Sequence, residues 1–401
     1  MGGVLDGIRV VEVSMWAMVP AAGAILAEWG ADVIKIEGPD GDPVRALVTA
    51  GVQPDGPRFT WEMWNRGKRA IALDLKHPEA QEIIRQLVTE ADVFLTSILP
   101  GQRKSLGIDQ ETIQSANPGI VYASGTGVGS KGPESDKGGY DGITFWARSG
   151  AASAATRPGA DPVTLPMGAF GDATSGMALA GGVAAALARK ARTGEGAVVE
   201  CSLLATAMWA MQMGITGTAA AGIEEFPRTS RQRPFNVLVN TYPTADNRWV
   251  SLCMLQADRY WAGFCHAIGR ADLEKDPRFD NAAHRAANAE ACVAELESTF
   301  RRKTLGEWRE RLATQEGQWD ALNTVSEVRD DPQVKANEFT RTIEYPSGHQ
   351  LTIVGAPVQF DNTPTPLRRA PEFGADTDEV LQDLGWGQDA ILDAKIKGAV
   401  V

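Results

Sequence analysis

Short apolar runs alternate with amphipathic stretches along the first 125 residues. Ile8–Val13 is an apolar run of strand length, and Pro20 suits the first turn of a helix reaching about Trp29. Gly30 ends that helix, and Val33–Glu37 predicts a second strand. Pro39 to Pro43 is a turn cluster. Ala70–Leu75, Val93–Leu95 and Ile120–Ala123 predict further strands, with a helix over Pro78–Glu90 among them. Strands separated by helices of this length imply a parallel sheet with right-handed crossovers, an open, Rossmann-like α/β fold.

Gly125–Gly139, rich in Gly, Ser and Lys, reads as a loop. Thr174–Lys190 predicts a helix apolar on nearly every face, and therefore buried. Arg189, Lys190 and Arg192 complement its dipole, and Gly194 and Gly196 stop it. Val198–Cys201 starts another strand, and Leu204–Gly222 is helical. After the polar stretch Ile223–Pro234 the pattern changes. Strands over Val237–Tyr242 and Trp249–Cys253 flank a turn at Asp246-Asn247, and helices follow at 258–268, 283–301 and 304–314, a small α+β unit. Asp331–Phe339 is helical, Gly348 sits in a turn between two short strands, and Thr377–Leu384 is an amphipathic helix.

An α/β fold invites a dinucleotide-binding reading. The first predicted strand is followed by Ser14-Met15-Trp16-Ala17-Met18-Val19-Pro20, without the glycines that bring a helix N-terminus against a pyrophosphate. Glu37, where a ribose-binding acid would stand, then reads as a solvated strand-end residue. The net charge of −12 argues against nucleic-acid and anionic-membrane partners, which require basic patches. Met1–Arg9 has no basic region leading into an apolar run, and no stretch of 18 apolar residues occurs, so neither a signal peptide nor a membrane span is expected. Four scattered cysteines fit neither a disulfide framework nor a zinc site. They predict free, buried thiols in a reducing cytoplasm. The four histidines share no metal-ligand spacing, so no histidine metal site is expected.

No Gly-x-Ser-x-Gly elbow is present, which leaves carboxylates as candidate chemistry. Asp172 ends a glycine-containing loop and precedes the buried helix. It suits an N-cap, bonding the amides of the first turn. A helix N-terminus equally stabilises negative charge, including an oxyanion on an acylated carboxylate. Both readings stay open at this level.

The segment Met167-Gly168-Ala169-Phe170-Gly171-Asp172-Ala173-Thr174-Ser175-Gly176-Met177 closely resembles the active-site segment of the class III CoA-transferases. Glu28-Trp29-Gly30-Ala31-Asp32-Val33-Ile34-Lys35-Ile36-Glu37, Asn65-Arg66-Gly67-Lys68-Arg69, Ala72-Leu73-Asp74-Leu75-Lys76 and Arg192-Thr193-Gly194-Glu195-Gly196 resemble further motifs of that family. Val354-Gly355-Ala356-Pro357-Val358 and Gly374–Leu381 extend the likeness to the C-terminus. The resemblance implies a large CoA-binding α/β domain of residues 1–205 plus 330–401, a linker helix and connection over 206–234, and an inserted small α+β domain of 235–329. It implies an interlocked homodimer. It also implies acyl-CoA and carboxylic-acid substrates, coenzyme A entering and leaving as a thioester with no metal or redox cofactor, and Asp172 passing through aspartyl anhydride and aspartyl-CoA thioester intermediates.

Within the family, α-methylacyl-CoA racemases carry a histidine where this chain has Tyr140, before Asp141. A tyrosine is a poor proton shuttle near neutral pH. A racemase, or a CoA-binding protein without turnover, is the alternative reading. The glycine-rich loop of the formyl-CoA transferases has no counterpart around Asn236–Pro243. The run Tyr140–Gly150, taken with Ala169–Thr174, looks most like transferases acting on 2-hydroxy acids such as phenyllactate and 2-hydroxyisocaproate. The resemblance places CoA against Trp16, Ala17, Lys35, Arg45, Lys76, Ser97, Ile98, Arg103, Lys104, Tyr140 and Asp141. Ala17 and Ser97 stand where the family's usual Gln and Asn are.

Overall fold

Six short strands pair in parallel in the order β3-β2-β1-β4-β5-β6. They are β1 (Arg9–Val13), β2 (Asp32–Glu37), β3 (Arg69–Ala72), β4 (Val93–Thr96), β5 (Val121–Thr126) and β6 (Ala197–Ser202). The computed structural model describes residues 3–48, 56–157, 159–228 and 230–401. By contacts the chain divides into two compact units, one running to Ala221 and resuming over Gln333–Val401, the other spanning Gly222–Pro332.

The strands are nearly continuous apolar runs because both sheet faces are covered. Side chains alternate between the faces. Val10, Val33, Leu95 and Ala123 pack on one side against α1 (Met18–Glu28), with Leu179 and Val183 of a long later helix. Val11, Ile34, Phe94 and Tyr122 pack on the other, against Ile83 and Leu87 and against Val380 and Ile391 near the C-terminus. Each buried Val, Leu, Ile or Phe among them contributes about 1.5–3 kcal/mol. The sheet edge at β3 is closed by the returning C-terminus: Asp376 Oδ2 accepts from Ala70 N at 2.7 Å, and Val401 N donates to Ala72 O at 3.0 Å. That edge is thereby denied to other strands.

The helices of this unit continue with α2 (Phe59–Asn65), α3 (Pro78–Thr89), α4 (Pro100–Arg103), α5 (Gln110–Ala116), α6 (Ala151–Ala155), α7 (Phe170–Thr193), α8 (Leu203–Ala210) and α9 (Gln212–Ala221). Helix α7 begins four residues before the predicted Thr174. Asp172 is therefore a first-turn residue and not the N-cap, which is Ala169 at φ +64°. Helices α1 and α7 cross closely at Gly176, where an added Cβ would stand 2.6 Å from Met18 O and 2.7 Å from Ala21 Cβ. Asp172 lies one turn before Gly176 on the same helix face. The crossing therefore aims Asp172 at the loop between β1 and α1.

The predicted helix over Leu204–Gly222 is two helices, broken at Met211. A π-helical segment over Asp141–Arg148 replaces a stretch that sequence left without regular structure. Hairpin strands β10 (Thr340–Glu344) and β11 (Gln350–Val354), numbered after three strands of the second unit, flank the predicted Gly348 turn. A second C-terminal helix, Gln388–Ile396, escaped the pattern because only Ile391 and Ala394 are buried in it.

The second unit holds an antiparallel sheet of β7 (Val239–Pro243), β8 (Trp249–Cys253) and β9 (Trp319–Ala321) with helices around it. The three residues of β9 are too few for a readable alternation. The predicted 283–301 helix is broken at Asn288. Its core stacks Tyr242 on Phe300 at 5.2 Å and packs Phe300 on Trp308 at 4.8 Å. The cysteines are free, but Cys253 is exposed and Cys201 half-buried, a correction to the expectation of buried thiols.

Candidate active site

The strand order reverses between β1 and β4, so their following loops diverge and leave a crevice at the C-terminal edge of the sheet. Open α/β sheets bind ligands at such a switch point. A cleft of about 240 Å³ opens there. Its walls include Trp16 and Ala17 after β1, Ser97 and Ile98 after β4, Tyr140, and Asp172 from α7. These are six of the twelve residues singled out from sequence. Met18, Leu99 and Leu203 make much of the remainder apolar.

The loop after β1 is held in an unusual shape. Trp16 has φ +69°, a left-handed conformation rare for a bulky residue. Met15 N donates to Ser97 Oγ at 3.0 Å, tying the two switch-point loops together. The Trp16 indole meets the Tyr140 ring edge-on, with centroids 5.8 Å apart. Tyr140 is 57% exposed at the mouth of the cleft.

Asp141 lies beneath, buried. Its Oδ2 accepts from Gly171 N at 2.9 Å, and its carboxylate interacts favourably with the amides of Phe170 and Asp172. Ala169 supplies no capping side chain, so Asp141 caps α7 in its place. Burial raises the Asp141 pKa, and the three amides oppose that rise. Gly171 is required here, since an added Cβ would collide with Phe145 and with Asp141 itself. Asp172, half-buried in the cleft wall, has its pKa pushed up to about 7, first by burial and then by the Asp141 charge.

The remaining predicted contacts fall elsewhere. Lys35 does not line the cleft. It is 0% exposed, and its ammonium is enclosed by Glu12, Asp42 and Ser14 O. Burial lowers its pKa, but the Glu12, Asp42 and Glu37 carboxylates outweigh that and the net shift is upward. Arg45 is committed to Glu37 through bonds of 2.8 and 2.6 Å, and lies 3.6 Å from the Trp61 ring centroid. Glu37 is accordingly buried and paired, not solvated, because Arg45 and the Asp42 amide converge on it. Arg103 is buried too. Its Nε donates to Ile98 O at 2.7 Å, so it shapes the cleft loop. Lys76 and Lys104 are exposed and lie outside the cleft lining.

Sequence reasoning missed Asp42, which accepts from Trp16 N at 3.2 Å. Its Asp-Pro step inside the turn cluster was the available signal. Among the described residues, no three His, Cys, Asp or Glu side chains gather as metal ligands, and no helix is long and apolar enough to cross a membrane.

Residues 5–377 match the profile of CoA-transferase family III. The chain is 34% identical over 397 residues to the (R)-2-hydroxy-4-methylpentanoate CoA-transferase of Clostridioides difficile, covering 98% of each. It is 31% identical to the cinnamoyl-CoA:phenyllactate CoA-transferase of Clostridium sporogenes, covering 96% of this chain and 94% of that one. The crystal structure of a CAIB/BAIF family protein from Brucella suis superposes with a TM-score of 0.83 at 28% identity, over 96% of this chain and all of that one (100%). With the profile running through both units and relatives aligned end to end, the chain belongs to CoA-transferase family III and is a CoA-transferase.

Proposed function

We propose that Asp172 is the covalent carrier of this transferase. Its carboxylate oxygen attacks the thioester carbon of an acyl-CoA, the C–S bond breaks, and CoA leaves as thiolate from an acyl-aspartyl anhydride. The thiolate attacks the Asp172 carbonyl carbon and releases the donor acid as carboxylate, leaving an aspartyl-CoA thioester. The acceptor carboxylate attacks that carbon and expels the thiolate. The thiolate then attacks the acceptor carbonyl of the second anhydride, yielding the new acyl-CoA and free Asp172. No proton is consumed overall, and one thioester replaces another, so the exchange is close to thermoneutral.

One observation carries this reading: Asp172 is the single charged side chain among the residues lining the switch-point cleft. A carboxylate needs no base to act as a nucleophile. The apolar surroundings that raise its pKa also raise its basicity, and with it its nucleophilicity. The first-turn amides bond Asp141, so they support the helix start and do not serve an Asp172 oxyanion.

The acceptor is a monocarboxylic acid with an apolar or aryl side chain, of the 2-hydroxy-acid type. The cleft's Trp16, Tyr140, Met18 and Leu203 walls support this, as do the acids named in two similar transferases. CoA enters along the loops after β1 and β4, with the exposed Lys76 after β3 and Lys104 after β4 available to its phosphates. The working form is an interlocked homodimer. In support, α9 has no buried residue, and Trp209 and Met213 are 73% and 77% exposed, an apolar face of the kind a second copy covers. Asp172→Ala is expected to retain acyl-CoA binding and lose transfer by about a thousandfold or more. Full transfer by that variant would overturn the reading.

A further inference from the structure

Beside the cleft lies a closed set of buried charges that the transfer chemistry does not use. Glu12, Lys35, Asp42 and Lys68 are all buried. Lys35 Nζ stands 3.0 Å from Asp42 Oδ2 and 3.3 Å from Glu12 Oε1. Lys68 Nζ stands 2.8 Å from Glu12 Oε2 and donates to Pro20 O and Asn65 Oδ1. Desolvating such pairs is costly, and well-packed apolar residues often serve stability as well, so the pairs call for a role other than bulk stability.

The network ends on the loop that bears Trp16. Lys35 Nζ donates to Ser14 O at 2.8 Å. Asp42 Oδ1 accepts from both Trp16 N at 3.2 Å and Val44 N at 3.0 Å. Asp42 is itself fixed, since its own amide donates to Glu37 Oε2 at 2.9 Å while its second oxygen faces Lys35. Strained backbone persists only where its surroundings over-determine it. Trp16 is such a residue, and Asp42 is the side chain that holds its amide.

We propose that Asp42, oriented by Lys35, is a positioning residue that holds Trp16 in its left-handed backbone and so fixes the cleft wall shared with Asp172. This rests on reading the cleft as the acyl-CoA site. Without the Asp42 acceptor, Trp16 relaxes toward an ordinary φ and the indole leaves the Tyr140 edge. The acyl thioester then loses one wall of its approach to Asp172. Helix α1, beginning at Met18, keeps its own hydrogen bonds. The effect is accordingly local.

The test compares Asp42→Ala with Asp42→Asn in the full chain. The asparagine carbonyl still accepts from Trp16 and Val44; alanine cannot. Amide hydrogen exchange of the peptide spanning Ser14–Met18 is expected to rise about a hundredfold in Asp42→Ala and to stay within about tenfold of wild type in Asp42→Asn. At saturating acyl-CoA, the rate of Asp172 adduct formation per folded molecule is expected to fall at least about tenfold in the alanine variant and to be rescued in the asparagine variant. Should Asp42→Ala not fold, the double variant Asp42→Leu with Lys35→Met removes the acceptor without stranding a charge, and the same rise in exchange is expected. Wild-type exchange in a variant lacking the acceptor, or an asparagine variant as impaired as alanine, would overturn the proposal. A wild-type protein that forms no adduct would instead sink the reading of the cleft, while the exchange result would still decide the role of Asp42.

Discussion

Asp141 accepts the amide hydrogen of Gly171 at 2.9 Å and so caps, from thirty residues upstream, the helix that carries Asp172. Two effects follow from the one contact. The α7 start is fixed although Ala169 offers no cap. A second carboxylate is also brought close enough to Asp172 to raise its proton affinity.

The first consequence is a pH dependence. Asp172 must be ionised to attack, and its pKa stands at about 7. Acylation is therefore expected to rise roughly tenfold per pH unit below about 7 and to level off above it. Single-turnover adduct formation between pH 5 and 9 reads this directly. A flat profile would mean that Asp172 keeps an ordinary carboxylate pKa.

Stability carries the same signature with a definite sign. The folded-state pKa of Asp172 is raised, so its contribution is fully present below the unfolded value and is lost as pH rises through about 7. Asp172→Asn, which is never charged, is expected to match wild type near pH 3, below the unfolded carboxyl's pKa, and to exceed it near pH 8 by on the order of 2 kcal/mol, since the carboxylate is only partly open to water. Denaturant melts at the two pH values check it.

Asp141→Asn removes the neighbouring charge while leaving an oxygen to cap Gly171. The acidic limb of the acylation profile is expected to move to lower pH, part of the way, because burial is the larger cause of the Asp172 shift. Asp141→Ala loses the cap as well and is expected to cost about 1–2 kcal/mol of stability. A limb unmoved in Asp141→Asn would show that the two carboxylates are not coupled.

Much of this was readable from the sequence, and the unread part has a common cause. The parallel sheet showed because strands such as Val10–Val13 are buried on both faces and read as apolar runs. Asp172 showed through the segment around it. Its exact place did not: Gly168 and Gly171 made the helix start look like loop, and the cap that starts it lies at Asp141. Lys35 was placed against CoA by the family resemblance, which does not show what surrounds its ammonium in this chain. Its partners come from β1 and from the turn after β2, and such pairings leave no periodic trace. Glu37 misled in the same way, its partner Arg45 sitting beyond a turn cluster.

Gly176→Ala tests how α7 is seated. Alanine favours the helix by about 1 kcal/mol. Its Cβ would stand 2.6 Å from Met18 O, and overpacking of that kind costs about 1–3 kcal/mol. Overpacking wins, so a lowered melting temperature is expected, together with slower acylation as the Asp172 face shifts from the Trp16 loop. An unchanged or raised melting temperature would mean the crossing is looser than described.

The exposed face of α8 and α9 predicts the oligomeric state. Trp209→Glu with Met213→Glu places two charges on the apolar surface that a second copy is proposed to cover. Light scattering is expected to give a wild-type dimer that persists on dilution and a double variant that is monomeric or insoluble. A monomeric wild type would contradict the interlocked arrangement.

The most direct test of the central claim is a mass spectrum of the protein mixed with acyl-CoA donors in the presence of hydroxylamine, which traps activated carboxylates. The account predicts a hydroxamate on the peptide containing Asp172, formed with donors carrying apolar or aryl acyl groups and absent from Asp172→Ala. Transfer that proceeds with no hydroxamate at Asp172, or with one on another residue, would contradict it.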